Sequence, residues 1–253
     1  MTTLDTTNAT ATGSETSSPA VAPAGPHTEK LWQGVADIRE RIDNLPFLIQ
    51  LGDGSLEPEK FAFYIAQDSH YLNLYKKALA LLGARSEGSE DLQFWTESAG
   101  VVVSVELEMH QSFATDPILR EFMQNGLGPR SVQTAAYSEF LLAQAALAPY
   151  AVAVAAVLPC YWIYAESGAR VARAAGFSEN VPAEHPYATW VAAYADESFH
   201  ASVRRAIDIV ERALERATEA EREAAFEAFR AATRFEELFW LQAQDAPADR
   251  TLI

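Results

Sequence analysis

From Phe140 to Tyr164 the chain is almost continuously apolar and rich in alanine. Such a run has to be kept from water, and whatever hides it sets the architecture of the protein. Its length would suit a membrane span, but Gln144, Pro149, Pro159 and Cys160 interrupt it. Alanine also adds little to membrane insertion, while its small side chain lets neighbouring helices approach closely. The run reads as the buried central helix of a bundle, and the remaining segments must wrap it.

The rest of the sequence supplies suitable wrapping. Leu31, Val35, Ile38 and Ile42 recur at helical spacing before Pro46 ends or bends that helix and Gly52 and Gly54 turn the chain. A second helix is predicted from about Pro58 to Leu82 with Gly83 as its stop, and a third over roughly Asp91 to Thr115. Ser131 can cap a helix running through Tyr137 to about Leu147. The apolar helix carries Cys160 on towards Gly176, and a loop covers Phe177 to Pro186. A long helix then starts near Tyr187, and Thr218 with Glu221 forms a capping box that opens the last one. No stretch alternates apolar and polar residues as a strand would, so the fold class is all-α. Residues 1–27 are mostly small and polar and read as a disordered tail; 28–246 form one helical domain, and 247–253 a short C-terminal tail.

A formal net charge of -16 leaves no basic cluster to displace phosphate counterions, which argues against nucleic acid and against anionic membranes as partners. One cysteine and no secretory signal pattern fit a reducing cytoplasm.

Periodicity also singles out polar residues that point inward. Asp68 falls in the aromatic stripe of Phe61, Tyr64, Tyr71 and Tyr75. Glu236 shares a face with Phe226, Phe229, Thr233 and Trp240, and its neighbour Glu237 is placed nearer the rim. Cys160 lies between Val157 and Tyr164 on a third such face. A buried carboxylate is costly unless it is paired, and one inward acid can be satisfied by a tyrosine or a backbone amide. Two acids on different helices, with a thiol and several tyrosines, describe the lining of a polar pocket. Taken singly, the cysteine and each tyrosine read more readily as core.

Four short motifs, in order along the chain, carry a resemblance. Gln67-Asp68-Ser69-His70-Tyr71 resembles the QDxxY signature of the TenA/thiaminase II family, and Leu158-Pro159-Cys160-Tyr161-Trp162-Ile163-Tyr164 resembles its cysteine motif. Trp190 to Tyr194 is similar to its WxxxY segment, and Phe235-Glu236-Glu237-Leu238-Phe239-Trp240 to its terminal motif, with Phe235 where many members have tyrosine. The loop from Phe177 to Pro186 reads longer than is usual there.

The resemblance implies a haem oxygenase-like helical bundle, a homotetramer, and hydrolysis of 4-amino-5-aminomethyl-2-methylpyrimidine, or of thiamin, to the hydroxymethylpyrimidine, without metal or organic cofactor. It implies Cys160 as nucleophile, Glu236 as the proton-transferring acid and Tyr137 as the residue that orients the thiol. Asp68 would hold the N–C–NH2 edge of the pyrimidine, and Tyr71, Tyr164 and Tyr194 would shape the pocket. The chemistry further requires a thiolate near neutral pH, and hence surroundings that favour one.

Two other readings compete. Glu197 with His200, and Glu106 with His110, are carboxylate–imidazole pairs at helical spacing, the ligand types of di-iron oxidases in helical bundles, although such histidines are more commonly hydrogen-bonded or exposed helix residues. A non-catalytic regulatory or protein-binding module is the other, with no basic recognition helix to support DNA binding.

Overall fold

Pro26, Pro46, Pro58 and Pro159 each stand in the first turn of a helix, where the missing N–H has no intrahelical partner to lose. A computed structural model of the chain describes residues 18–115, 117–122, 126–174, 176 and 184–245, with the side chains of 106–115, 117, 118, 121 and 174 outside that description. The described residues form helices α1 (Pro26–Gln33), α2 (Ala36–Asp43), α3 (Pro46–Asp53), α4 (Pro58–Arg85), α5 (Ser89–Thr115) and α6 (Pro117–Phe122). They continue with α7 (Val132–Leu147), α8 (Tyr150–Val157), α9 (Pro159–Ala174), α10 (Ala188–Ala195), α11 (Glu197–Arg216) and α12 (Glu219–Gln244). None of the described residues is in a strand, as the all-α reading expects.

The apolar run becomes α8 and α9, and 89% of its most apolar stretch is buried inside the bundle. By length and composition alone it could cross a membrane; here α7, α11 and α12 pack round α8, and α3, α10 and α11 round α9. Pro159 interrupts the hydrogen-bond ladder where these two helices meet, which puts Cys160 in the first turn of α9.

Four local readings change. The first predicted helix breaks at Gly34 into α1 and α2, and Pro46 opens a further short helix, α3, that already contains Gly52. α4 runs through Gly83 to Arg85: a Cβ on Gly83 would come within 2.9 Å of Thr96 Cγ2, so this glycine admits α5 rather than stopping α4. The helix predicted from Tyr187 divides at Asp196, whose carboxylate accepts the Ser198 N–H at 2.8 Å and caps α11.

Residues 18–25, assigned to a tail on composition, are packed. Val21 is buried, its carbonyl accepts the Trp162 indole N–H at 2.8 Å, and the Ala20 N–H donates to Glu166 at 2.7 Å. Buried Glu211 of α11 accepts the backbone N–H groups of His27 and Thr28 at 3.1 and 2.7 Å, capping α1 from across the bundle. The tail readings for 1–17 and 247–253, and the loop reading for 177–183, lie outside the described residues.

Candidate active site

The turn before α7 is clamped from α4, on either side of Asp68. The Gln67 side chain donates to Pro129 O at 3.0 Å and accepts the Ser131 N–H at 2.9 Å, while His70 Nε2 lies 2.9 Å from Gly128 O. Ser131 caps α7 through the Thr134 N–H at 3.0 Å. These contacts fix the register of α7 against α4 and aim Tyr137 inward, towards α9 and α12.

There the Tyr137 hydroxyl lies 3.1 Å from Cys160 Sγ and donates to Glu236 Oε1. The Tyr71 hydroxyl meets the same sulphur from α4. Cys160, Tyr71, Tyr137 and Glu236, from four helices, are thus one hydrogen-bonded cluster. The ring of Phe235 stacks on Tyr137 with centroids 5.2 Å apart and planes at 13°, a contact that needs the ring and no hydroxyl.

The second group is aromatic. The Tyr164 hydroxyl is 3.3 Å from that of Tyr64, which also accepts the Trp190 indole N–H at 3.3 Å. The Tyr194 ring lies 4.9 Å from Tyr164 and 4.7 Å from Trp190. Gly168 makes this packing possible, because a Cβ there would fall 2.5 Å from that of Tyr194. Asp68 shares an electrostatic field with Glu236 of the first group and with Tyr64, Tyr164 and Tyr194 of the second. It makes no side-chain hydrogen bond to the described residues, and it is only partly buried, as are Cys160 and Tyr194.

Burial dominates the electrostatics. It pushes the carboxyls of Asp68 and Glu236 up to about 7, in the latter case against the hydrogen bond from Tyr137. The Cys160 thiol is pushed well above its usual range by burial and by the charge of Glu236, and the hydroxyls of Tyr137 and Tyr71 pull it only partly back. At rest the sulphur therefore carries its proton, contrary to the expectation that its surroundings favour a thiolate. An S–H donated to Tyr137, with Tyr137 donating to Glu236, is a two-step path for that proton to leave.

All seven residues selected from the sequence thus fall within one interior region. Three hollows in the surface, of about 280, 370 and 230 Å³, are lined by other residues. Glu237 is not at the rim: it is 3% exposed, held at 2.9 and 3.1 Å by Arg41 and also by Arg234. Burial opposes its ionisation, but the two guanidinium groups hold it below the usual carboxylate range. Glu197 points outward and pairs with Arg204, and His200 Nε2 lies 3.2 Å from the Tyr194 carbonyl, so this pair does not converge on a shared ligand. The side chains of Glu106 and His110 lie outside the described residues, and among the described residues no three His, Cys, Asp or Glu are grouped as a metal site would need.

Sequence reasoning gave no role to Tyr64, Tyr75 or Trp190. The signal was present, since Tyr64 and Tyr75 lie four residues before Asp68 and four after Tyr71 on the same stripe.

A family profile described as the TENA/THI-4/PQQC family matches residues 32–246. The chain is 38% identical over 234 residues to a thiamine biosynthesis multifunctional protein, ThiED, of Corynebacterium efficiens; the match takes in 92% of this chain and 30% of that protein. The chain therefore spans about three-tenths of that relative's length. It is 30% identical to an aminopyrimidine aminohydrolase of Halalkalibacterium halodurans over 67% of this chain and 73% of the other. A domain of unknown function from Shewanella denitrificans with a heme oxygenase-like fold superposes with a TM-score of 0.66 at 15% identity, covering 88% of this chain and 93% of that one, and it shares the fold expected from the sequence.

Proposed function

Because the chain belongs to the TENA/THI-4/PQQC family, we propose that it is a hydrolase of aminopyrimidines. Its reaction converts 4-amino-5-aminomethyl-2-methylpyrimidine and water to the hydroxymethylpyrimidine and ammonia, in salvage of thiamin breakdown products. The observation that carries this reading is the cluster itself: a sulphur with two tyrosine hydroxyls on it, a carboxyl bonded to one of them, and a second carboxyl left open beside it.

Each group has a part. Asp68, with no side-chain hydrogen bond of its own among the described residues, accepts the pyrimidine NH2 on one oxygen and shares a proton with the adjacent ring nitrogen on the other, and Tyr164 and Tyr194 supply aromatic walls. The partly exposed Asp68, Cys160 and Tyr194 mark the side from which a ring can reach the sulphur. The ionised Glu236 draws the thiol proton through Tyr137. The thiolate adds to the pyrimidine ring, which ends its aromaticity and lets the amine leave from the exocyclic methylene carbon. Glu236, now protonated, gives its proton to that amine. Water then adds to the same carbon and gives a proton to the Glu236 carboxylate, the thiolate is expelled as the ring becomes aromatic again, and that proton returns to the sulphur through Tyr137, so two easier steps replace one difficult displacement.

The family's thiamin-cleaving reaction follows the same path with a thiazole as leaving group. Incubation of the purified protein with the aminomethylpyrimidine should release ammonia and hydroxymethylpyrimidine in equal amounts, followed by chromatography. Folded protein without turnover on this compound or on thiamin would overturn the assignment.

A homotetramer completes the reading. Val101 and Val105, one turn apart on α5, are 61% and 43% exposed, an apolar pair suited to association with other copies. Sedimentation equilibrium should give about four times the 27.7 kDa chain mass, and a monomer mass would refute it. We place the enzyme in the cytoplasm, where a reducing environment keeps a lone thiol reactive.

A further inference from the structure

Tyr75 carries a buried hydroxyl with no hydrogen-bond partner among the described residues, although the side chain is only 6% exposed. A tyrosine that could pack as phenylalanine keeps a polar group that makes no hydrogen bond of normal geometry at rest, although Cys160 and Tyr161 are near enough to influence it, and such a group costs stability. Its surroundings indicate what could satisfy it. On α4 its ring stacks on Tyr71, one turn earlier, with centroids 5.2 Å apart and planes at 21°, and the Tyr71 hydroxyl is on Cys160 Sγ. From the other side it lies 6.5 Å, ring to ring, from Tyr161, the residue after Cys160. The hydroxyl is therefore bracketed by the two residues that flank the sulphur in space and in sequence. Cys160 is the nearest strong influence on its charge state after burial itself.

We propose that Tyr75 is a third hydrogen-bond donor to Cys160, engaged only when the sulphur is a thiolate. At rest the thiol gives its proton to Tyr137 and receives one bond from Tyr71. When the proton passes to Tyr137, and the Tyr137 proton to Glu236, one negative charge moves from the carboxylate to the sulphur and no atom is gained or lost. The sulphur then has lone pairs to accept Tyr137, Tyr71 and a turned Tyr75 hydroxyl. A bond made in the reactive state and absent at rest stabilises that state selectively, which is how a positioned dipole accelerates a reaction. This role rests on the reading of Cys160 as nucleophile.

The test uses the chain's one cysteine, so that every alkylation event reports the same sulphur. Rates of iodoacetamide labelling of the full-length protein are measured from pH 6 to 10 for wild type, Tyr75→Phe and Tyr161→Phe, with a melting curve for each. Tyr75→Phe should melt at the same temperature or higher and label about tenfold more slowly below the thiol's midpoint, equivalent to a midpoint raised by about one pH unit. Tyr161→Phe, which keeps the Tyr75 hydroxyl, should follow wild type. A Tyr75→Phe profile that superimposes on wild type would overturn the assignment. So would an equal shift in Tyr161→Phe, which would trace the effect to repacking. Labelling needs no turnover, so a protein inactive on pyrimidines would lose its proposed function without deciding this test.

Discussion

Cys160→Ser should abolish turnover of the aminomethylpyrimidine, lowering kcat by a factor on the order of 10⁴ or more, the scale of loss seen when a covalent nucleophile is removed. Such a loss corresponds to about 5 kcal/mol of transition-state stabilisation. The reason lies in the resting electrostatics. Even the thiol is held above its usual range by burial and by Glu236, with two tyrosine hydroxyls pulling partly back. An alcohol, intrinsically far harder to ionise, cannot be brought within reach by the same three groups. Fold should survive, because serine fits the volume and the Tyr71 and Tyr137 hydroxyls can bond to its oxygen, so the melting temperature should move by only a few degrees. Folded Cys160→Ser protein that still releases ammonia at a substantial fraction of the wild-type rate would discard covalent catalysis while leaving the substrate in place. Holding temperature and pH fixed, ammonia release and the melting curve are the two measurements required.

The residues of this cluster were legible in the sequence for one physical reason: helical periodicity reports direction. Asp68 in a stripe of aromatics and Glu236 between Thr233 and Trp240 had to face inward, and the family resemblance then supplied their companions, Tyr137 among them although it lies in none of the four motifs. Periodicity does not report what waits at the end of a side chain. Glu237, one step round the helix from Glu236, was placed near the rim, yet it is buried because Arg41 and Arg234 reach in to meet it. That depends on α2 packing against α12, a tertiary fact. The same limit applied to Tyr75, where the stripe was readable and the missing partner was not. Chain breaks at Gly34 and Asp196 escaped because apolar spacing continues across them while the backbone turns. Pro159 was visible as an interruption, but its consequence, a nucleophile in the first turn of a new helix, emerged only from the packing of α9. The direction of the thiol's shift was also beyond the sequence, because burial, a neighbouring carboxylate and two hydroxyls act together and only geometry decides which prevails.

Glu236→Gln tests the other half of the chemistry, and it separates activity from stability. In the wild type burial pushes Glu236 and Asp68 up to about 7, so the native protein binds more protons than the unfolded chain between the ordinary carboxyl range and that value. Native stability contributed by the neutral carboxyls is therefore complete at low pH and lost as pH rises through about 7. Activity should run the opposite way. The base that draws the thiol proton must be ionised, while Asp68 and the ring nitrogen must share one proton, so kcat/KM should climb as Glu236 ionises towards pH 7 and fall again once that shared proton is lost. Its apparent pKa belongs to the coupled pair rather than to either acid. Glutamine keeps the bond from Tyr137 through its carbonyl oxygen but can neither take nor return a proton. Glu236→Gln should accordingly lose about 10²- to 10⁴-fold in kcat, the usual range for a general acid–base group. It should also hold its melting temperature better than wild type between pH 6 and 8, since one of the two buried charges can no longer form. Melting curves and kcat/KM across pH 5 to 9 for both proteins decide the matter. A glutamine variant that turns over at the wild-type rate with the same pH profile would remove Glu236 from proton transfer. The thiol's proton would then have to leave by a path that does not end on Glu236.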